Sequence, residues 1–208
     1  MELPAPLEFG WQMKPLESAK TTLQYLPDGR LELTISHDLL KGITPHMLYW
    51  WFTHIAGDMT YQGKRYSRYR VWHPRDHIHW NAKPGPNGKA EAGAVFHIAE
   101  AFGRNPDYLV DVQEVVEKLD ETGIRLSNRR AGFEVSNLEH TFTPVPDGTL
   151  YKSRMTVGAE HPLVRGLLNR YIRPRVFPED MARAWLKHNV EEVGNFEFFL
   201  PELYAASA

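Results

Sequence analysis

The first two thirds of the chain alternate apolar and polar residues in the manner of β-strands with one buried face. Residues 23–25 and 31–35 predict a hairpin, because the turn signature Pro-Asp-Gly stands between them. Further strands are predicted at residues 92–101, 107–118, 122–129, 132–143 and 149–157. A second Pro-Asp-Gly turn joins the last two of these strands. The pattern therefore predicts a mostly antiparallel sheet.

A short aromatic helix is predicted after the hairpin. Thr44 is a good N-cap residue, and Pro45 suits the first helical position. The apolar residues that follow, through Trp50 and Trp51, have helical spacing. We expect this helix to pack under the sheet.

The C-terminal third changes to a helical period. Apolar residues recur every three or four positions through 163–172, and prolines at 174 and 178 then break or kink the pattern. A second helix is predicted from about Glu179 to Val193. On it, His188 shares a face with apolar residues such as Trp185.

Strands followed by a long final helix predict an α+β fold. The expected arrangement is a curved antiparallel sheet wrapped around the C-terminal helix, with an internal cavity, as in the helix-grip folds of Bet v 1-like and START-like proteins. We expect one domain over 1–208, in which 1–20 form an N-terminal arm and 21–208 form the helix-grip domain.

Composition narrows the classes of function. The 208 residues have a formal net charge of -2, which gives no electrostatic reason to expect nucleic acid or an acidic membrane as a partner. The chain has no cysteine, which excludes disulfides, thiolate metal ligands and cysteine nucleophiles. No apolar run has the length of a membrane span. We expect a cytoplasmic protein that acts on a small molecule, and the sequence leaves a homodimer open.

Residues 69–80 combine three histidines, an aspartate and large aromatic residues. Buried histidine and aspartate need polar partners, whereas exposed aromatics cost free energy. The segment therefore predicts a cavity wall around a polar centre, for which a metal ion is the preferred candidate. His77 is the preferred ligand here, although His73 or His79 could take its place.

Partners for this centre lie elsewhere in the chain. Glu100 is a candidate because it alternates in phase with apolar residues of its strand, and His97 on the opposite face competes with it. His140 and His188 complete the set. Three imidazoles and one carboxylate suit zinc.

The spacing and the tail of the chain resemble a known family. Tyr69 stands eight residues before His77, and the segment 188–204 looks like a last helix and tail of the 2,4-diacetylphloroglucinol hydrolase and phloretin hydrolase family. The 48 residues from His140 to His188 also match that family's pattern. Its members use zinc to hydrolyse a carbon-carbon bond between an acyl group and a polyhydroxylated aromatic ring.

By that resemblance the zinc ligands are His77, Glu100, His140 and His188, and Tyr69 is a catalytic residue. The neighbouring His73 and Asp76 are assigned to assist proton transfer. The expected function is a zinc-dependent hydrolase of an acylphloroglucinol-like phenolic ketone that releases a carboxylic acid. Two alternatives stay open: a Bet v 1-like binding protein for an aromatic or polyketide ligand, and a non-hydrolytic cyclase or isomerase.

Overall fold

A nine-stranded antiparallel sheet dominates the computed structural model, which describes residues 3–207. The strands follow the order β1-β2-β11-β10-β9-β8-β7-β6, and the short β3 pairs with β11. The strand bounds are β1 Lys20–Tyr25, β2 Leu31–Ser36, β3 Leu40–Lys41, β6 His77–Lys83, β7 Val95–Ala101, β8 Leu109–Asp120, β9 Gly123–Arg130, β10 Phe133–Val145 and β11 Gly148–Val157. A separate hairpin is formed by β4 Asp58–Tyr61 and β5 Lys64–Ser67.

Helices lie before, between and after the strands. Their bounds are α1 Pro45–His54, α2 Arg68–Trp72, α3 Pro162–Leu167, α4 Arg173–Val176 and α5 Glu179–Ala205, with a π-helical turn at Leu168–Ile172 between α3 and α4. Thr44 caps α1, since its side chain accepts a hydrogen bond from the backbone N–H of Met47. Among the residues described, no helix combines the length and apolar character needed to cross a bilayer.

The predicted hairpin, the five later strands and the capped α1 are confirmed. The prediction missed β6, although Ile78, Trp80 and Ala82 alternate with polar residues in it. It also ended α5 too early, at Val193. The helix continues because Phe196 and Phe199 pack against Trp51 of α1, with ring centroids 5.8 and 5.0 Å away.

The N-terminal residues pack on the domain rather than extending away from it. Residues 3–15 contain no helix or strand, yet Phe9 is buried with its ring 5.0 Å from Tyr61 and 5.3 Å from Tyr66. Aromatic pairs at this spacing add to the burial of apolar surface. The arm therefore contributes to the core.

A cavity of about 540 Å³ lies between α5 and the face of the sheet that carries the even-numbered residues of β7, β8 and β9. Its wall is mainly apolar and includes Trp80, Phe96, Leu126, Leu138 and Trp185. Residues 168–177, around α4, line one end of it. The long helix thus supplies one wall of a ligand-sized cavity.

Candidate metal centre and cavity

Four side chains from β6, β7 and α5 converge at one end of the cavity wall. His77 opens β6 and is directly paired with Glu100 of β7 in the sheet register. His188 and Glu192 lie one helical turn apart on α5, so both face the sheet. The antiparallel pair and the helix therefore bring two imidazoles and two carboxylates together.

The distances in this cluster are short. Glu100 Oε2 lies 3.5 Å from His77 Nε2 and 3.5 Å from His188 Nε2. Glu192 Oε2 lies 3.3 Å from His77 Nε2 and 3.8 Å from His188 Nε2. Both histidines are almost fully buried. His77, Glu100 and His188 form a group whose ligand atoms are close enough to share one ion.

Hydrogen bonds at the far side of each ring fix which nitrogen faces the cluster. His77 Nδ1 lies 2.8 Å from the backbone carbonyl oxygen of Tyr69, which can only accept, so Nδ1 carries the proton. His188 Nδ1 lies 3.0 Å from Asp76 Oδ2, which also accepts. In its neutral form each ring therefore turns the lone pair of Nε2 towards the cluster. Neither Nε2 has a hydrogen-bond partner among the described residues.

Bare nitrogen lone pairs beside carboxylate oxygens repel one another unless a cation lies between them. Two neutral imidazoles and two carboxylates supply four donor atoms and two negative charges, which would balance a divalent ion. The donor set therefore fits a metal such as zinc.

The electrostatics of the cluster agree with this reading. Burial alone would lower the pKa of His188, but Glu100, Asp76 and Glu192 outweigh it and hold that pKa well above its usual range. Burial, together with the nearby Glu100, raises the pKa of Glu192 to about 8. The field at this point thus favours an added positive charge.

Asp76 supports His188 from behind. Its Oδ2 accepts the His188 bond and another of 2.8 Å from the Gly103 backbone N–H. Burial would raise the pKa of Asp76, but these bonds and the nearby histidine charges lower it to about 2. Such carboxylate partners orient metal-binding histidines.

His73 lies on the same side as Asp76, away from the cavity. Its Nδ1 accepts a bond of 3.2 Å from the Asp76 backbone N–H, and its Nε2 lies 3.3 Å from Glu191 Oε2. Neither His73 nor Asp76 lines the cavity. The structure therefore gives these two residues a supporting position, not the place beside a substrate that sequence reasoning assigned to them.

Tyr69 connects the cluster to the cavity. Its hydroxyl donates a hydrogen bond of 2.9 Å to Glu100 Oε2, and its ring stacks on His77 with centroids 3.8 Å apart. Burial and the Glu100 carboxylate raise the pKa of Tyr69 well above its usual range. The phenol is therefore a proton donor, and it lines the cavity as the resemblance implies.

His140 lies apart from the cluster, contrary to the sequence-based ligand set. Its Nδ1 is 2.9 Å from Ser153 Oγ, which is also 2.8 Å from His37 Nε2. Gly123 of the adjacent strand β9 lies so close to His140 that a Cβ at this position would collide with the His140 carbonyl, so the position requires glycine. Burial lowers the pKa of His140 to about 3. His140 is a neutral histidine in the cavity wall.

The fourth member of the cluster, Glu192, was missed by the sequence reasoning. Glu192 follows His188 by four residues, and residues i and i+4 share a helix face, so a signal was present. The two alternative ligands lie outside the cluster. His97, the alternative to Glu100, is on the opposite face of β7, where its Nε2 lies 2.6 Å from an Asp111 carboxylate oxygen. His79, the alternative to His77, is exposed and lies beside Asn81.

Solved structures share this architecture. A protein of Rhodobacter sphaeroides aligns with a TM-score of 0.51 and 13% identity over 88% of this chain and 99% of its own. The protein NE0264 of Nitrosomonas europaea aligns with a TM-score of 0.49 and 11% identity over 86% of this chain and 99% of its own. The first likeness shows the fold, an α+β fold with a large antiparallel sheet and a C-terminal helix.

The family is shown by the sequence. The family model described as "DAPG hydrolase PhiG domain" matches residues 12–205. The chain therefore belongs to the DAPG hydrolase family, and this membership supports a hydrolase activity. No curated protein sequence matches the chain.

Proposed function

We propose that this protein is a zinc-dependent hydrolase that cleaves the carbon-carbon bond between an acyl group and a phenolic ring, on a helix-grip scaffold. The observation that carries the proposal is the convergence of two partnerless Nε2 atoms, His77 and His188, on Glu100 Oε2 at 3.5 Å. Family membership supports the reaction class.

The zinc ligands we propose are His77, Glu100, His188 and Glu192. Glu192 here replaces His140, because its Oε2 lies within 3.8 Å of both imidazole nitrogens. Zinc held by these residues would supply Lewis-acid chemistry at this end of the cavity and would favour deprotonation of water near neutral pH.

The cavity supports an aromatic substrate. Apolar residues such as Trp80, Phe96 and Ile98 can cover the faces of a ring, while Glu100, Glu192 and Tyr69 place polar groups at one end. A small aromatic ketone would meet apolar contacts around its ring and polar groups around its acyl oxygen. The scissile bond would then lie beside the cluster.

Hydrolysis moves one proton and one hydroxyl group. The bond between ring carbon and acyl carbon breaks, the ring carbon takes up a proton, and the acyl carbon takes the hydroxyl of water to become a carboxylic acid. We assign Tyr69 as the donor of this proton, since its phenol stays protonated and lines the cavity. His140, whose imidazole lines the cavity, is the group we assign to accept a proton from water or from a ring hydroxyl.

Two measurements on one preparation test this function. Protein purified without added metal should contain close to one zinc per chain, and incubation with 2,4-diacetylphloroglucinol should release acetate. Tyr69→Phe should keep its zinc and fold while turnover falls by roughly a hundredfold or more, the scale for losing a general acid. Metal-free protein with full activity, or Tyr69→Phe with unchanged turnover, would contradict this mechanism.

A further inference from the structure

Arg173 is a buried cation for which the described residues offer no counter-charge. Only 8% of its surface is exposed, and its Nε has no hydrogen-bond partner. Within residues 3–207, no carboxylate lies within salt-bridge distance of its guanidinium, although acids pair with other arginines nearby, as Asp28 does with Arg30 at 2.8 Å. A buried charge without a partner is costly, so its retention calls for a function.

Packing explains only part of this position. The guanidinium carbon lies 5.1 Å from the ring centroid of Tyr25, a cation–π contact that holds the group flat against one surface. That contact uses the face of the guanidinium. The N–H groups around its edge remain, and Arg173 lines the cavity.

Arg173 lies on α4, before the start of α5, and this position puts it towards the end of the cavity away from the cluster. It precedes Phe177 and Met181, which line the same end, whereas His188 lies seven residues beyond Met181. At 1.5 Å per residue that separation is about 10 Å along the helix. The cavity thus has the carboxylates of Glu100 and Glu192 near one end and Arg173 towards the other, and Asp111, Glu114 and Arg130 also lie in its lining.

We propose that Arg173 forms a subsite for a carboxylate on the substrate, so that the natural phenolic ketone is an acid whose acyl group lies at the Glu100 end. This rests on the proposed function. Guanidinium edges bind carboxylates through two parallel hydrogen bonds, whereas a phenolate offers one oxygen. A substrate whose carboxylate is held by Arg173 would extend its acyl group towards the Glu100 end of the cavity.

Binding of a deacylated compound tests the subsite without turnover. The probes are 3-(2,4,6-trihydroxyphenyl)propanoic acid and its methyl ester, measured by titration calorimetry against the zinc-loaded protein. Wild type should bind the acid more tightly than the ester. Arg173→Met should weaken the binding of the acid by roughly ten- to a hundredfold, which is the scale for a lost hydrogen bond to a charged group. The affinity for the ester should stay within about twofold of the wild-type value. Arg173→Lys keeps the positive charge but cannot form two parallel hydrogen bonds, so its affinity for the acid should lie between those of wild type and Arg173→Met.

Arg170→Met is the matched control, since Arg170 is exposed on the same segment. It should bind both probes as wild type does. Equal binding of acid and ester by wild type, no binding of the acid, or an equal loss of both probes in Arg173→Met would overturn the subsite. Failure of the proposed function would appear separately, as absent acetate release from 2,4-diacetylphloroglucinol.

Discussion

Two pairs of histidines differ in their neighbours; His77, His188 and His140 are buried, and His37 is half-buried. His77 and His188 face the carboxylates of Glu100 and Glu192, whereas His37 and His140 share only the hydroxyl of Ser153. The consequence appears in the pKa values. Burial lowers the pKa of His37 and His140 to about 3 and also holds that of His77 well below its usual range, while the carboxylates hold that of His188 well above its usual range.

The comparison shows what separates a metal centre from a cavity wall. Burial removes water from both pairs, but only the carboxylates supply the negative charge that a divalent cation needs. Neutral imidazoles beside a serine can orient and exchange protons. The first pair is therefore suited to hold zinc and the second to handle protons.

The largest expected effect comes from removing a proposed ligand. His77→Ala and Glu192→Gln should each lose zinc and reduce turnover to background, because the remaining groups no longer provide two charges and four donors. Elemental analysis and acetate release measure both. Glu202→Gln, on an exposed turn of the same helix, should change neither. Retention of zinc by Glu192→Gln would mean that Glu192 is not a ligand and that another residue takes the fourth coordination position.

The second pair should behave differently when changed. His140→Gln should keep one zinc per chain while turnover falls by roughly a hundredfold, since a proton acceptor is lost and the ligand set is intact. The same two assays separate these effects. Loss of zinc in this variant would restore His140 to the metal centre and remove the distinction between the pairs.

Local patterns were enough to predict most of the fold. The alternation of β7 to β11 and the capping signature at Thr44 and Pro45 act over a few residues, so they are visible in the sequence. The end of α5 was not, because its continuation depends on packing against Trp51, far away in the chain. Tertiary contacts decide helix length more than propensity does.

The metal centre was predicted in part for the same reason. Glu100 and His188 were selected because polar residues in phase with apolar ones must find partners, and His77 was selected by the family resemblance, through its spacing from Tyr69. His140 satisfied the same criterion, and the sequence could not show that Ser153, on the adjacent strand, is its partner. Glu192 was overlooked although its spacing from His188 is a helical repeat.

A smaller effect is expected behind the cluster. Asp76→Asn keeps the shape but weakens the acceptor that orients His188, so zinc affinity should fall by roughly ten- to a hundredfold. Competition with a chelator measures this affinity. His79→Gln, which changes an exposed histidine two residues beyond His77, serves as the control. Unchanged zinc affinity in Asp76→Asn would mean that the Gly103 N–H and packing alone fix His188.

The smallest effect concerns stability in acid. The pKa of His140 is about 3 in the folded protein and near 6.5 in the unfolded chain, so the unfolded state binds an extra proton between these values. The free energy of unfolding must then decrease as pH falls from about 6.5 towards 3, by at most about 1.4 kcal/mol per pH unit from this group. His140→Gln should show a shallower decrease by that amount in denaturant titrations, whereas His46→Gln, at an exposed position, should follow wild type. Parallel curves for wild type and His140→Gln would mean that His140 takes up a proton as readily in the folded protein, and that the two histidine pairs are more alike than their neighbours indicate.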